Sequence, residues 1–463
     1  MKNSFNKILF FFLIITLIFK PDIRSEININ LLLFYSITIL IMVAAHLYLE
    51  NKIYSNWCRI DVFFLVGFLI VHFQWPVMYS FSNIVPENIS RIWIDSKYVN
   101  YGTWVSTLGG LSWLLGYSIP QKTKRKNSKN VKYNYSKLLY FTALLFILFI
   151  VTAGKVFLTN AKYIEGPTSD SGGIAAYINI LLSICLTVLT VFVVLDNKNK
   201  YKNNLLKWIL GLNKLYLIIV MAYVIIFLAA GERGAPISLI LTLLILIGCI
   251  IRPIALKEFL IFTILGAFFM TMISIGRGID SEKNIFNSGY ENIEVNSGYD
   301  FTLELANSVR TLYMSISEVP GNYDYFLGEL WIGSLLSIIP FAQSIYFQMT
   351  GLGNEYLGSA ELITFFTFGH YPHMGEGTSL IADIYLNFGV IGAVFIMFLF
   401  GKFAKLVNIK AFLEQDLTWI IIAAIIGGFS VYLGRSSLFI ILRPIIWSFP
   451  IIYFLIKKRQ VLR

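Results

Sequence analysis

Ser379, Asp383 and Asn387 lie four residues apart in GEGTSLIADIYLNFGVIG, residues 375–392. That spacing puts them on one face of a helix, inside an otherwise apolar run. An ionisable side chain in a bilayer costs about 2.5–3.5 kcal/mol on insertion scales, so by default it marks a functional cavity. The competing reading is a hydrated interfacial aspartate, one turn below the surface. Just upstream, FGHYPHMGEG carries His370, His373 and Glu376. Histidine titrates near neutral pH and can take a proton from an attacking hydroxyl. Glu376 and Asp383 compete for that role, and either histidine could simply bond loop backbone. The His370–His373 spacing is a weak metal pattern, because Pro372 holds Tyr371 out of helical geometry and no further histidine or cysteine is near. No metal ion or other cofactor is expected.

A second set of residues suits anion binding. Arg233 sits in GERG, Arg277 in IGRG and Arg435 in LGRSS, each at the outer end of an apolar segment and each beside a glycine. Glycine lets the chain turn sharply and lets a ligand approach. Arg443 follows two turns after Arg435, on the same helical face. The Ala235-Pro236 pair starts a helix whose amides and positive dipole end face the same side. Arginine is suited to bidentate phosphate contacts, so the four arginines predict one outer-leaflet site sized for a lipid diphosphate. The ordinary alternative is that each arginine snorkels to headgroups or pairs with a carboxylate such as Glu232 or Asp383.

The elements that would position these groups are membrane helices. Of 463 residues, 57% are hydrophobic and 14% charged, and the mean hydropathy is +0.71, outside the range of soluble globular chains. About twelve segments approach the 20 residues a transmembrane helix needs: 7–19, 28–49, 60–80, 99–119, 138–158, 174–195, 211–230, 235–251, 258–275, 380–400, 417–433 and 437–456. The first follows Lys2 and Lys7 like a signal peptide, but Phe19-Lys20-Pro21 is no cleavage site, so it reads as an anchor. With both termini in the cytoplasm, 24 of the 37 basic residues fall on short inner segments, which is the positive-inside bias. The net charge of +11 is therefore a topology and lipid-headgroup signal, and no nucleic-acid partner is expected. His46 and His72 read as interfacial. The three cysteines suggest neither a disulfide framework nor a zinc site.

The predicted fold is all-α: one integral membrane domain, residues 1–463, with a single large extracytoplasmic loop at 276–379. That loop holds twelve acids and three bases. Its many aromatic residues argue that it is ordered. Residues 300–318 read as an amphipathic helix. Residues 329–349 read as a semi-apolar stretch, interrupted by Pro340, that lies on or dips into the membrane. A thirteenth span there would reverse the charge bias downstream.

The outward arginines, the large loop and the helix entry GxG…D-x-Y-x-N-F-G…G resemble the Wzy-type O-antigen polymerases of bacterial surface polysaccharide assembly. The likeness spans roughly 210–456 and rests on GERGAP, IGRG, GEGTSLIADIYLNFGVIG and YLGRSSLF. Family members often carry glutamate where this chain has Asp383. The resemblance implies a metal-independent glycosyltransferase of the polyprenol-dependent (GT-C-like) membrane architecture, in the bacterial inner membrane, with its site facing the periplasm or cell exterior. Donor and acceptor would be oligosaccharides on undecaprenyl diphosphate, with a chain-length regulator as a further candidate partner. Arg233, Arg277, Arg435 and Arg443 would bind diphosphate. His370 or His373 would be the base, with Asp383 or Glu376 as orienter or alternative base. Trp331, Tyr323 and Tyr325 would stack on sugars.

Two other functions fit parts of the pattern. An O-antigen ligase would differ only in product, a single transfer against a ladder of repeats. A lipid-linked oligosaccharide flippase would fit twelve helices, but transporters usually carry internal repeats and midplane polar sites, whereas here the polar groups gather at the outer face.

Overall fold

The computed structural model describes residues 2–86, 89–121, 132–158, 173–199, 204–230, 232–276, 302–372 and 374–459. Arg277 and His373 lie outside the described residues. Helices form over each apolar segment: α1 (Lys2–Ile18), α2 (Ile29–Tyr54), α3 (Ile60–Ser82), α4 (Val99–Ser118), α5 (Ser136–Leu158), α6 (Gly173–Asp196), α7 (Lys214–Ala229), α8 (Gly234–Leu246) and α9 (Leu256–Gly276). The large loop contributes α10 (Arg310–Glu318), α11 (Glu329–Leu336), α12 (Ala342–Thr350) and α13 (Ser359–Phe368). The chain closes with α14 (Leu380–Asn408), α15 (Leu417–Phe429) and α16 (Leu442–Leu455). Among the described residues, seven helical stretches are long and apolar enough to cross a membrane. The protein is an all-α multi-pass membrane protein.

Local sequence sets the starts. The side chains of Asn28, Asn213, Ser379 and Asp416 each accept a backbone N–H in the first turn of α2, α7, α14 and α15, satisfying donors that a helix start leaves open. Helix α4 is rich in glycine and serine, yet nearly all of it is buried. Its glycines explain why. A Cβ at Gly116 would overlap the Phe398 carbonyl, and one at Gly401 the Trp113 carbonyl, so α4 and α14 meet backbone to backbone. Small residues permit that approach inside membranes, where packing drives helix association.

Two ends of the bundle are distinct. One joins Trp57 to Ile254, Gln121 to Lys402 and Gln415 to Cys249. There a short antiparallel ladder pairs Lys132–Asn134 with Lys457–Arg459, so the basic connector and the C-terminal basic tail share one side. The opposite end joins Arg24 to Asp95, Trp75 to Asn307 and Arg233 to Glu304.

Several expectations are corrected. His46 and His72 are buried, 2% and 0% exposed, not interfacial. His46 bonds Asp61 and His72 meets Ser106. Arg59 and Lys405, two of the 24 bases counted on the inner segments, are buried in ion pairs with Asp61 and Glu50. The amphipathic helix at 300–318 is Leu303–Ala306, a 3-10 turn and α10 in succession. Residues 329–349 form two short helices around Pro340, each too short to span. Their exposed Ile339, Phe341, Ile345 and Met349 give this segment an apolar outer face.

Candidate functional site

At the end that holds the large loop, three guanidinium groups from distant parts of the chain line one cavity of about 310 Å³. Arg91 comes from the segment between α3 and α4, Arg310 from the start of α10, and Arg435 from a 3-10 turn after α15. Glu304 and Glu376 line it with them, and Trp75, Ile92 and Leu303 supply apolar wall. Trp75 donates its indole N–H to Asn307 at 2.9 Å, which pins the large loop onto α3. Arg310 pairs with Glu376. Glu304 takes Arg233 directly and Arg435 at 3.6 Å, so one carboxylate bridges two arginines. Burial, and then the neighbouring Arg91 and Arg435, pull Arg310 below the ordinary arginine range against the opposing pull of Glu376. Burial is the largest of these effects, and an anion brought into the cavity would favour the charged guanidinium.

Asp383 has a different place. It is 1% exposed. One of its oxygens accepts the Trp331 indole N–H at 3.1 Å and the Leu438 amide at 2.9 Å. Asn387 bonds the Asp383 carbonyl and accepts the Gly328 amide. Helix α14 is interrupted at Gly389, with φ +60°. There a Cβ would lie 2.9 Å from the Tyr325 ring, so both conformation and space require glycine. The interruption frees the Leu386 and Asn387 carbonyls to accept the Phe326 and Leu327 amides. The pattern D-x-Y-x-N-F-G is therefore the docking edge on which the large loop is hung. Tyr385 completes it by donating to the Val319 carbonyl.

The arginines expected in one pocket divide between two. Ser436 and Ser437 are extended, which breaks the helical continuity that would have put Arg435 and Arg443 on one face. Arg443 instead lines a second cavity of about 450 Å³ among α6, α8, α15 and α16. Arg233 is held beside the first cavity through Glu304. His370 is exposed, its ring 4.8 Å from that of Phe365, and is not among the residues lining the arginine cavity. Glu376 does line it, and its amide is held by Thr364. The aromatics expected to stack on sugars are used in packing. Trp331 abuts Phe388 and Phe439, Tyr323 lies on Phe366, and Tyr325 covers Gly389. Among the described residues no cluster of histidine, cysteine and carboxylate could hold a metal ion.

Sequence reasoning passed over Arg91 and Arg310. Both lie outside the inner segments of the expected topology, and so were legible as exceptions to the positive-inside trend. Neither sits beside a glycine at a span end, the signal that selected the others.

A family model of the O-antigen polysaccharide polymerase Wzy matches residues 3–459, nearly the whole chain. No curated protein and no solved structure matches. The chain belongs to the O-antigen polysaccharide polymerase family.

Proposed function

We propose that this member of the O-antigen polymerase family joins undecaprenyl-diphosphate-linked repeat units into a surface polysaccharide, and that the cavity of Arg91, Arg310 and Arg435 grips the diphosphate of the donor. The observation that carries this reading is the convergence of three guanidinium groups from separate segments, faced by only two carboxylates. In the proposed topology, with twelve spans and cytoplasmic termini in the bacterial inner membrane, the cavity faces outward, where lipid-linked repeat units are presented.

The ion pairs already present suggest how the anion binds. The Glu376 and Glu304 carboxylates stand where phosphate oxygens would lie. A diphosphate taking over Arg310 would release Glu376. Cleaving the C1–diphosphate bond develops charge on the leaving group, and positioned arginines stabilise it. The freed Glu376 carboxylate accepts the proton of the attacking acceptor hydroxyl. His370 and His373 are the alternative bases. Asp383 acts from a distance, by fixing Trp331 and the start of the turn that leads into α16.

The test is a polymer-length assay at matched protein levels. Arg310→Ala and Glu376→Gln should each leave single repeat units in place of a ladder, and His370→Ala should keep the ladder. An unchanged ladder in Arg310→Ala would overturn the diphosphate assignment. Loss in His370→Ala with retention in Glu376→Gln would move the base to histidine. Transfer of one unit to a lipid core, with no ladder even in the wild type, would favour the ligase reading.

A further inference from the structure

The second cavity has features that the first does not use. Its lining is largely apolar, including Ile184, Leu239 and Phe429, and most of its walls are helices of the membrane bundle. Half-buried Arg443 reaches it with a buried Nε that has no hydrogen-bond partner among the described residues. A buried N–H without an acceptor is costly, so its retention points to an acceptor that arrives from outside the chain. The first turn of α8 opens on the same space through Gly234 and Ala235. Arg233 provides no side-chain cap there, so these amides add positive potential.

Position adds a further argument. Gly234 follows Arg233, and Ser437 lies two residues after Arg435. The bridge Arg233–Glu304–Arg435 therefore adjoins the linings of both cavities along the chain, with Glu304 and Arg435 lining the outer one. A volume of about 450 Å³ falls in the usual range of ligand sites, roughly 300–1,000 Å³.

We propose that this cavity binds the phosphate head of an isoprenoid lipid at Arg443, with the hydrocarbon along its apolar wall, as a second carrier site linked to the first along the chain by the Arg233–Glu304–Arg435 bridge. The inference rests on the reading of the outer cavity as the donor diphosphate site. It adds that the acceptor's carrier is held at the same time, which a reaction between two lipid-linked substrates requires.

The experiment uses the full chain in phosphatidylcholine nanodiscs, with radiolabelled farnesyl phosphate as probe. The wild type should bind two molecules. Arg443→Ala should lose one, by a loss of affinity on the order of tenfold or more, the scale of one charge-assisted contact. Ser334→Trp, which fills the cavity from the loop side and leaves Arg443 in place, should lose the same one. Arg435→Ala should lose the other. Two sites surviving in both Arg443→Ala and Ser334→Trp, or a single site in the wild type, would overturn the proposal. Displacement of the Arg443-dependent probe by phosphatidylglycerol or by inorganic phosphate would overturn the carrier assignment in favour of bulk lipid or a free anion. If Arg435→Ala leaves binding intact while Arg443→Ala removes a site, the outer-cavity reading fails and this site stands.

Discussion

Among the described residues, two clusters of arginine and carboxylate, one at each end of the bundle, are built on opposite principles. In the cluster at the end that carries the basic tail, charges balance and are sealed. Arg59 grips Asp61 through two contacts of 3.0 and 2.9 Å, and both residues are fully buried. His46 and Asn408 complete Asp61, Tyr117 receives the same Asn408 amide, and Lys405 reaches Glu50 at 2.7 Å. At the end that holds the large loop, guanidinium groups outnumber the carboxylates lining the cavity, contacts are partly exposed, and an open volume lies between them. A sealed, matched network is what structure needs, because a buried charge without a partner is destabilising. An open, unmatched one is what an anion site needs. The number of charges does not separate the two; stoichiometry and access do.

The comparison breaks most visibly at Arg59. Arg59→Ala leaves Asp61 buried without its arginine, at a cost of about 3–5 kcal/mol. We expect a large drop in melting temperature and in membrane-inserted protein, with polymer falling only in step with the protein that remains. Arg435→Ala should do the reverse. Polymer formation should fall on the order of 10²–10³-fold, the scale of a lost transition-state contact, while the melting temperature holds. Polymer that tracks protein level in both variants would erase the distinction.

Asp383 tests the boundary between the two behaviours. Asp383→Ala orphans the Trp331 indole and the Leu438 amide, each at about 1–3 kcal/mol. Stability and polymer length should decline together, and Asp383→Asn, which keeps an acceptor, should decline less. The smallest effect is expected at Arg91. It is exposed, and its guanidinium donates to the Met374 sulfur at 3.2 Å. Exposed charges contribute about 0–1 kcal/mol, so Arg91→Ala should slow polymer growth by no more than several-fold. A loss equal to that of Arg435→Ala would show that the cavity closes over Arg91 when substrate binds.

Much of the helical layout was legible because apolar runs near membrane length leave the chain little choice. Helices occupy the positions that hydropathy marked, and the GERG and LGRSS arginines do face one end. The depth of individual side chains was not legible. His46, Arg59 and Lys405 sit near segment ends, and a linear count cannot tell a solvated end from one folded inward onto neighbouring helices. Asp383 and Asn387 were correctly placed on one face of an apolar helix. What that face meets, the loop backbone at Phe326–Gly328, is set by an interruption at Gly389 that helical periodicity does not reveal. Arg310 escaped notice because its partner Glu376 is 66 residues away in sequence. Ser436 and Ser437 separated Arg435 from Arg443 by a local preference for extended backbone that the two-turn spacing ignored.

The most direct measurement is a cryo-EM structure of the chain with an undecaprenyl-diphosphate-linked repeat unit. The account predicts diphosphate density within hydrogen-bond distance of Arg310 and Arg435, with Glu376 released from Arg310. Diphosphate density elsewhere, with the Arg310–Glu376 and Arg435–Glu304 pairs intact and the cavity empty, would contradict it.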